Sequence, residues 1–467
     1  MKRLKKNIIL LWLLLSFSPL FAQNYGKGAI LDPVLYEQTD AKPVLVSRSY
    51  TSLPPSVSLK QYSPIPESQG QYGTCVGWST AFAARTISES IALGRTNRTT
   101  NSENVFSPAF VYKNISDNEG KNGAIISYAL DFIRDNGIVK RQAVEKTTAF
   151  EKIPLSLFAN ARRYPISGYV RLFSNQSGKP GTISERVPPV KKSLAEGKPV
   201  IIGMNCADSF NKAKDIWQPI ENPNAKYGGH AMCVVGYDDD KGGGAFEIQN
   251  SWGTDWGNEG YIWIRYSDFA AFVYEAYEII ENLSNYMETV QFAASIEIEV
   301  YNNPRGMPVT YDQQGFYRTT LTYPEGTQFQ FQMTNKKPAY VYAFSVDNRS
   351  TVLERVFPSA GTSPVLDYTD STVAWPSEFE SMELSGPADT DYLIVLYSKE
   401  ALNIDAIEKR FAGERGSFPQ RVERAVGSNF IPFSSVQYAN NKMEFTAQTQ
   451  NLKAVLGLLL AIDRQGR

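Results

Sequence analysis

The hydrophobic pattern of this chain changes period near Pro189, and that change limits the folds open to its first half. Before it, Val76, Ala81, Phe82, Ala84, Ile87 and Ile91 recur near helical spacing between Cys75 and Leu93, and Gly94 stands where a C-terminal cap would. Ser107-Pro108 supplies an N-cap and a first-turn proline for a second helix, and residues 128–137 read as a third, stopped at Asn136-Gly137. After Pro189, short strand-like runs take over at 199–204, 231–237, 245–249 and 260–265, each bounded by glycine turns. Helices first and strands second predict an α+β domain with a cleft between two halves.

The flanks read differently. Lys2, Arg3, Lys5 and Lys6 precede the apolar run Ile8 to Leu15, and the small residue Ala22 follows, the order of a secretory signal peptide over 1–22. The chain is therefore expected to be exported, either secreted or periplasmic. No later run offers the roughly 18 to 20 apolar residues that a membrane helix needs; Val455 to Ile462 comes nearest and reads as a buried final strand. Residues 23–54 carry few periodic apolar positions and end in Leu53-Pro-Pro, which predicts an extended segment, a linker or a strap across the next domain. Strand signals at 328–333, 340–346 and 392–397, with one amphipathic helix at 404–415, predict a separate β-sandwich-like domain over 283–467. The balance of 47 basic and 48 acidic residues gives no field for nucleic acid or an anionic membrane.

One histidine occurs in 467 residues, His230, between Gly229 and Ala231. A thiolate attacks a carbonyl only if its pKa is lowered, by a helix N-terminus or an adjacent imidazolium. Cys75, in Gln69-Gly-Gln-Tyr-Gly-Thr-Cys75, has the first by position and can gain the second from His230. The tetrahedral intermediate needs donors, which the Cys75 N–H and the Gln69 amide can supply. Asn250 can orient the imidazole, with Trp252 keeping water off that bond.

Gln69-Gly-x-x-Gly-Thr-Cys75, Gly-His230-Ala, Gly236-Tyr237 and Asn250-Ser-Trp-Gly-x-x-Trp-Gly-x-x-Gly-Tyr261, in that order, resemble the papain family of cysteine peptidases over about residues 55–282. The resemblance implies a helical lobe and a β-barrel-like lobe with the cleft between them. It implies Cys75 as nucleophile, His230 as general base and acid, Asn250 as orienter and Gln69 as oxyanion donor. Gly123, Ala124, Ile125 and Ile126 look like the segment that pairs with the substrate backbone and walls the pocket for the residue two before the scissile bond; that wall would be apolar and favour an apolar side chain. Ala231 and Trp252 would also line the substrate site. Val76 follows the nucleophile where an aromatic is common, and Tyr72 stands where a half-cystine is usual, departures similar to those of bacterial secreted members. The long helical inhibitory prosegment of many members is missing, so latency would have to come from residues 23–54 or from the C-terminal domain. That domain weakly resembles, at Tyr340-Val-Tyr and Arg355-Val-Phe-Pro358, a bacterial module appended to secreted peptidases.

The expected function is thus an exported cysteine endopeptidase acting on peptides or proteins, with no metal or organic cofactor. A catalytically silent peptide-binding scaffold, or a transpeptidase or exopeptidase on the same triad, are the rivals. Cys206 and Cys233 are either one disulfide or two buried thiols. Zinc at His230 and Cys233 with Cys206 is disfavoured, because strand residues three apart face opposite ways. Asp238-Asp-Asp240, without the spaced ligands and closing glutamate of a calcium loop, reads as a hairpin turn.

Overall fold

A computed structural model describes residues 25–116, 120–144, 154–282, 289–312, 315–348, 350–386 and 389–465. The signal-peptide expectation for 1–22 and the domain boundary at 283 lie outside the described residues. Among those described, no helix is long and apolar enough to cross a membrane.

The helix that begins at Cys75 runs to Ala92, but its middle, Trp78–Arg85, is wound with the wider π pitch. Gly94 follows with φ +63°. Around it pack Pro108–Ile115, whose cap Ser107 accepts from the Phe110 N–H at 3.1 Å, and Ile126–Asn136. The sheet opposite places its strands in the order Ile166–Arg171, Val273–Glu281, Val200–Cys206, Gly228–Asp238, Ala245–Gln249, Tyr261–Arg265 and Ile216–Trp217. All seven residues of Val200–Cys206 are buried between neighbours on both sides, which is why that run is almost continuously apolar. Each such Val or Ile contributes roughly 1.5–3 kcal/mol by leaving water. This is the two-lobed α+β arrangement expected from the change of period.

The C-terminal half holds two further sheets that share one core. Leu456, Leu458, Leu460 and Ile462 of the strand Val455–Asp463 face Phe331, Met333 and Phe445 of the other sheet. Val455 and Leu459 face the opposite way, against Ile407, Phe411 and Val422 of two helices, Ile404–Gly413 and Phe418–Val426. The strand is apolar throughout because both its faces are covered. One helix was expected in this region; the second is announced by the Ser417/Gln420 capping box.

Two other expectations need correction. Residues 23–54 are not extended throughout: Pro33–Gln38 is a helix, with Asp32 accepting from the Val34 and Leu35 N–H groups and proline in the first turn, and Arg48–Thr51 is a shorter one. The helix Ile183–Ala195 was not anticipated, because Pro188 and Pro189 lie inside it and each removes a backbone donor. A capping box, Thr182 with Glu185, starts it.

The N-terminal segment joins the two halves. Ala41 donates to the Gly361 carbonyl at 2.8 Å and accepts from the Ser363 N–H at 2.9 Å, while the Lys42 N–H donates to the Arg171 carbonyl at 2.9 Å. Leu45, 3% exposed, belongs to the C-terminal core. Beside it, Lys42 and Lys198 both pair with Glu278 and Asp367, with Lys42 to Asp367 at 2.9 Å and Lys198 to Glu278 at 3.2 Å. Despite burial, the two lysines hold the Asp367 carboxyl well below its usual range. Asp367 therefore stabilises the fold above the ordinary carboxylate pKa, and that contribution is lost as pH falls toward its own lower value. Replacing Lys42 by Met strands a buried negative charge and is expected to cost roughly 3–5 kcal/mol; a urea unfolding midpoint unchanged from the parent chain would refute the pairing.

Candidate active site

Cys75 and His230 are brought together by contact between the start of the long helix and the strand Gly228–Asp238. The Ala231 N–H donates to Cys75 Sγ at 3.5 Å, which sets the sulfur beside the residue that follows His230. Both side chains are 0% exposed. His230 Nε2 lies 2.8 Å from Asn250 Oδ1. Asn250 Oδ1 also accepts from the Ser251 backbone N–H at 2.8 Å. A backbone N–H can only donate, so the atom facing it is the amide oxygen, and the imidazole nitrogen on that oxygen must carry the proton. The neutral ring is then protonated at Nε2, leaving Nδ1 with a lone pair; Nδ1 is buried and has no hydrogen-bond partner. The Trp252 ring stacks on the imidazole, centroids 4.7 Å apart and planes 22° apart.

The cleft is occupied by the chain itself. Tyr25 stacks on Trp252 with centroids 4.5 Å apart. The Gly26 carbonyl accepts from Gln69 Nε2 and from Trp252 Nε1, both at 3.1 Å. Gln69 Nε2 also donates to the Tyr72 carbonyl at 2.7 Å. Further along, Ala29 donates to the Gly229 carbonyl at 3.0 Å, the Ala124 N–H donates to Gly28 at 2.8 Å, and the Ile30 N–H donates to Ala124 at 2.9 Å. Residues 25–30 thus form a strap over Cys75, running parallel to Ala124. Glycine is required here: a Cβ at Gly28 would stand 2.2 Å from the Gly73 carbonyl oxygen, and one at Gly123, at φ +79°, would stand 2.1 Å from that of Gly28.

The strap sets the electrostatics. Burial pushes the Cys75 thiol up to about 11, against the opposing pull of the Ala231 and Gly28 N–H groups. Burial likewise pushes His230 down to about 4, with the Asn250 bond opposing. Thiol and imidazole are therefore both neutral near pH 7, and the strap offers the sulfur an N–H where an attack needs a carbonyl carbon.

Of the residues predicted from sequence, Cys75, His230, Asn250, Gln69, Trp252 and Ala231 converge, and Gly123 and Ala124 lie along the strap. Ile126 opens its helix and is fully buried in the core, and Ile125 is its half-buried N-cap. Cys206 and Cys233 are free, buried thiols, Cys206 opposite Gly228 and Cys233 opposite Ile201 on the strand ladder, too far along it to bridge. Sequence reasoning missed the strap's grip on the cleft, although the alternating glycines of Tyr25-Gly-Lys-Gly-Ala29 were a signal of close backbone approach.

The family model for papain family cysteine proteases matches residues 54–279. An uncharacterised peptidase C1-like protein of Acanthamoeba polyphaga mimivirus is 32% identical over 120 residues, 25% of this chain and 37% of that protein. Cathepsin K of Gallus gallus is 27% identical over 210 residues, 44% of this chain and 55% of that protein. The chain thus spans about a third to a half of the length of these curated relatives. Among solved structures it is similar to xylellain, a cysteine protease from Xylella fastidiosa, with TM-score 0.45 and 22% identity over 56% of this chain and 97% of that one. Through residues 54–279, the chain belongs to the papain family of cysteine proteases.

A Cβ at Gly26 would stand 2.0 Å from the Tyr72 carbonyl oxygen, so Gly26→Val with Gly28→Val should unseat the strap. In the unsubstituted chain, alkylation of Cys75 by iodoacetamide should be slow at pH 7 and rise toward pH about 11. In the double variant, alkylation at pH 7 is expected to be faster by about tenfold or more; equal rates would show that the strap does not guard the sulfur.

Proposed function

We propose that this protein is an exported cysteine endopeptidase, latent in the strapped form, that hydrolyses peptide bonds through an acyl-enzyme on Cys75. The observation that carries the reading is the Ser251–Asn250–His230 chain of hydrogen bonds, which leaves an unpartnered Nδ1 acceptor on the strand that touches Cys75. Once the strap leaves, Ala124 offers its N–H and carbonyl to a peptide backbone. Nδ1 takes the thiol proton, and the sulfur adds to the substrate carbonyl carbon. The negative oxygen turns to Gln69 Nε2 and the Cys75 N–H. The imidazolium, steadied through Nε2 by Asn250, gives its proton to the departing amine as the C–N bond breaks, leaving a thioester. Water, deprotonated by the same nitrogen, splits the thioester and restores the thiol.

The segment between residues 25 and 46 supports latency, because one end fills the cleft and the other is bonded to the C-terminal sheets. Export rests on the charged and apolar order of residues 2–15.

The test is labelling of Cys75 by an epoxysuccinyl probe, and peptide hydrolysis, in the chain opened by the two glycine substitutions. His230→Ala in that background is expected to slow both by about 10²–10⁴-fold, and Asn250→Ala to slow hydrolysis by about 10–100-fold. Hydrolysis indifferent to His230 would refute the mechanism.

A further inference from the structure

Away from the cleft, the catalytic half and the C-terminal half meet around a cavity of about 290 Å³. Ile91, Ile279 and Ile280 wall it from the catalytic side, and Tyr340, Val365 and Leu452 from the C-terminal side. Its lining includes no residue of the strap and none of the cleft. The volume is close to the lower end of the roughly 300–1,000 Å³ usual for small-molecule sites. A small apolar ligand between such walls gains the dispersion contacts that the walls, held apart, cannot give each other.

The charges held back from solvent in this lining are matched, with one exception. Glu196 pairs with Lys192 at 2.8 Å, Glu281 with Arg85 at 3.2 Å, and Lys198 with Glu278 at 3.2 Å and with Asp367. Glu400 is exposed. Lys399 is half-buried, and no carboxylate among the described residues pairs with it. Its ammonium donates to the Pro338 carbonyl and stands 5.1 Å from the centre of the Phe292 ring. An ammonium has three donors, so a single carbonyl leaves two of them open to other acceptors. Burial, with Lys337 adding to it, pushes the Lys399 amine down to about 8, so the group still carries its charge near pH 7.

An apolar hollow with one unmatched ammonium in its wall is complementary to a small apolar molecule that ends in a carboxylate. We propose that the seam between the two halves binds such an acid, an alkyl or aryl monocarboxylate, with its carboxylate on Lys399 and its apolar part against Ile279, Ile280 and Val365. The carboxylate supplies the acceptor and the counter-charge that Lys399 lacks. Because the walls belong to both halves, the bound acid adds contacts across the seam. The site is separate from Cys75 and does not depend on the peptidase reading.

The test is titration of the full chain at neutral pH with octanoate, phenylpropionate, octanol and octylammonium, followed by calorimetry and by the thermal unfolding midpoint. Octanoate or phenylpropionate should bind at least about tenfold more tightly than octanol, which offers an apolar chain without the charge, and octylammonium more weakly than octanol. The tighter of the two acids assigns the alkyl or the aryl class, and either result supports the site. Lys399→Met should erase the margin of the acid over octanol while octanol still binds. Ala92→Trp, a substitution at an exposed position of the lining, should weaken acid and alcohol alike. Neither acid binding at millimolar concentration, acid and octanol binding equally, or a margin that survives Lys399→Met overturns the proposal. Should the methionine variant fail to fold, Ala92→Trp decides: acid binding indifferent to the tryptophan lies elsewhere on the molecule and sinks the proposal.

Discussion

The chemistry of the cleft depends on which way one carboxamide points, and a backbone N–H decides it. Ser251 donates to Asn250 Oδ1, Asn250 Oδ1 in turn fixes the proton of His230 on Nε2, and the free lone pair is left on the nitrogen that a thiol can use. The Asn250 N–H is itself tied to the Gly260 carbonyl at 3.0 Å, so the carboxamide stands on a braced turn. The asparagine adds no charge of its own: it sets a tautomer and an orientation, and the reactivity follows from them.

Backbone rather than side chain does most of the work of closing the cleft. Gly26 and Gly28 on the strap meet Tyr72, Gly73 and Gly123 on the wall with no room for a Cβ between them. The polarity of that contact turns an N–H of the strap, that of Gly28, toward the Cys75 sulfur. The same burial that excludes water raises the Cys75 thiol and lowers the His230 imidazole, so the strapped form holds both groups neutral.

Much of this was legible in the sequence, and the parts that were not share a cause. The strands of the catalytic sheet announced themselves by apolar runs between glycines, and the cleft residues by motif and order. The helix Ile183–Ala195 was hidden because Pro188 and Pro189 outweigh a capping box that was there to be read, and Pro33–Gln38 because a single Asp32-Pro33 step carried the signal. The strap could be proposed but its seat could not, since that depends on a backbone fit between distant glycines.

The four charges where strap, sheet and C-terminal half meet have a consequence in time rather than in space. Lys42 emerges early in synthesis and is buried in the finished molecule between Glu278 and Asp367. Until the ribosome has passed residue 367, Glu278 alone is available to both Lys42 and Lys198, and the lysine that leads into the cleft segment lacks half of its counter-charge. A chain broken before residue 367 therefore keeps Lys42 but loses one of the two carboxylates that hold it.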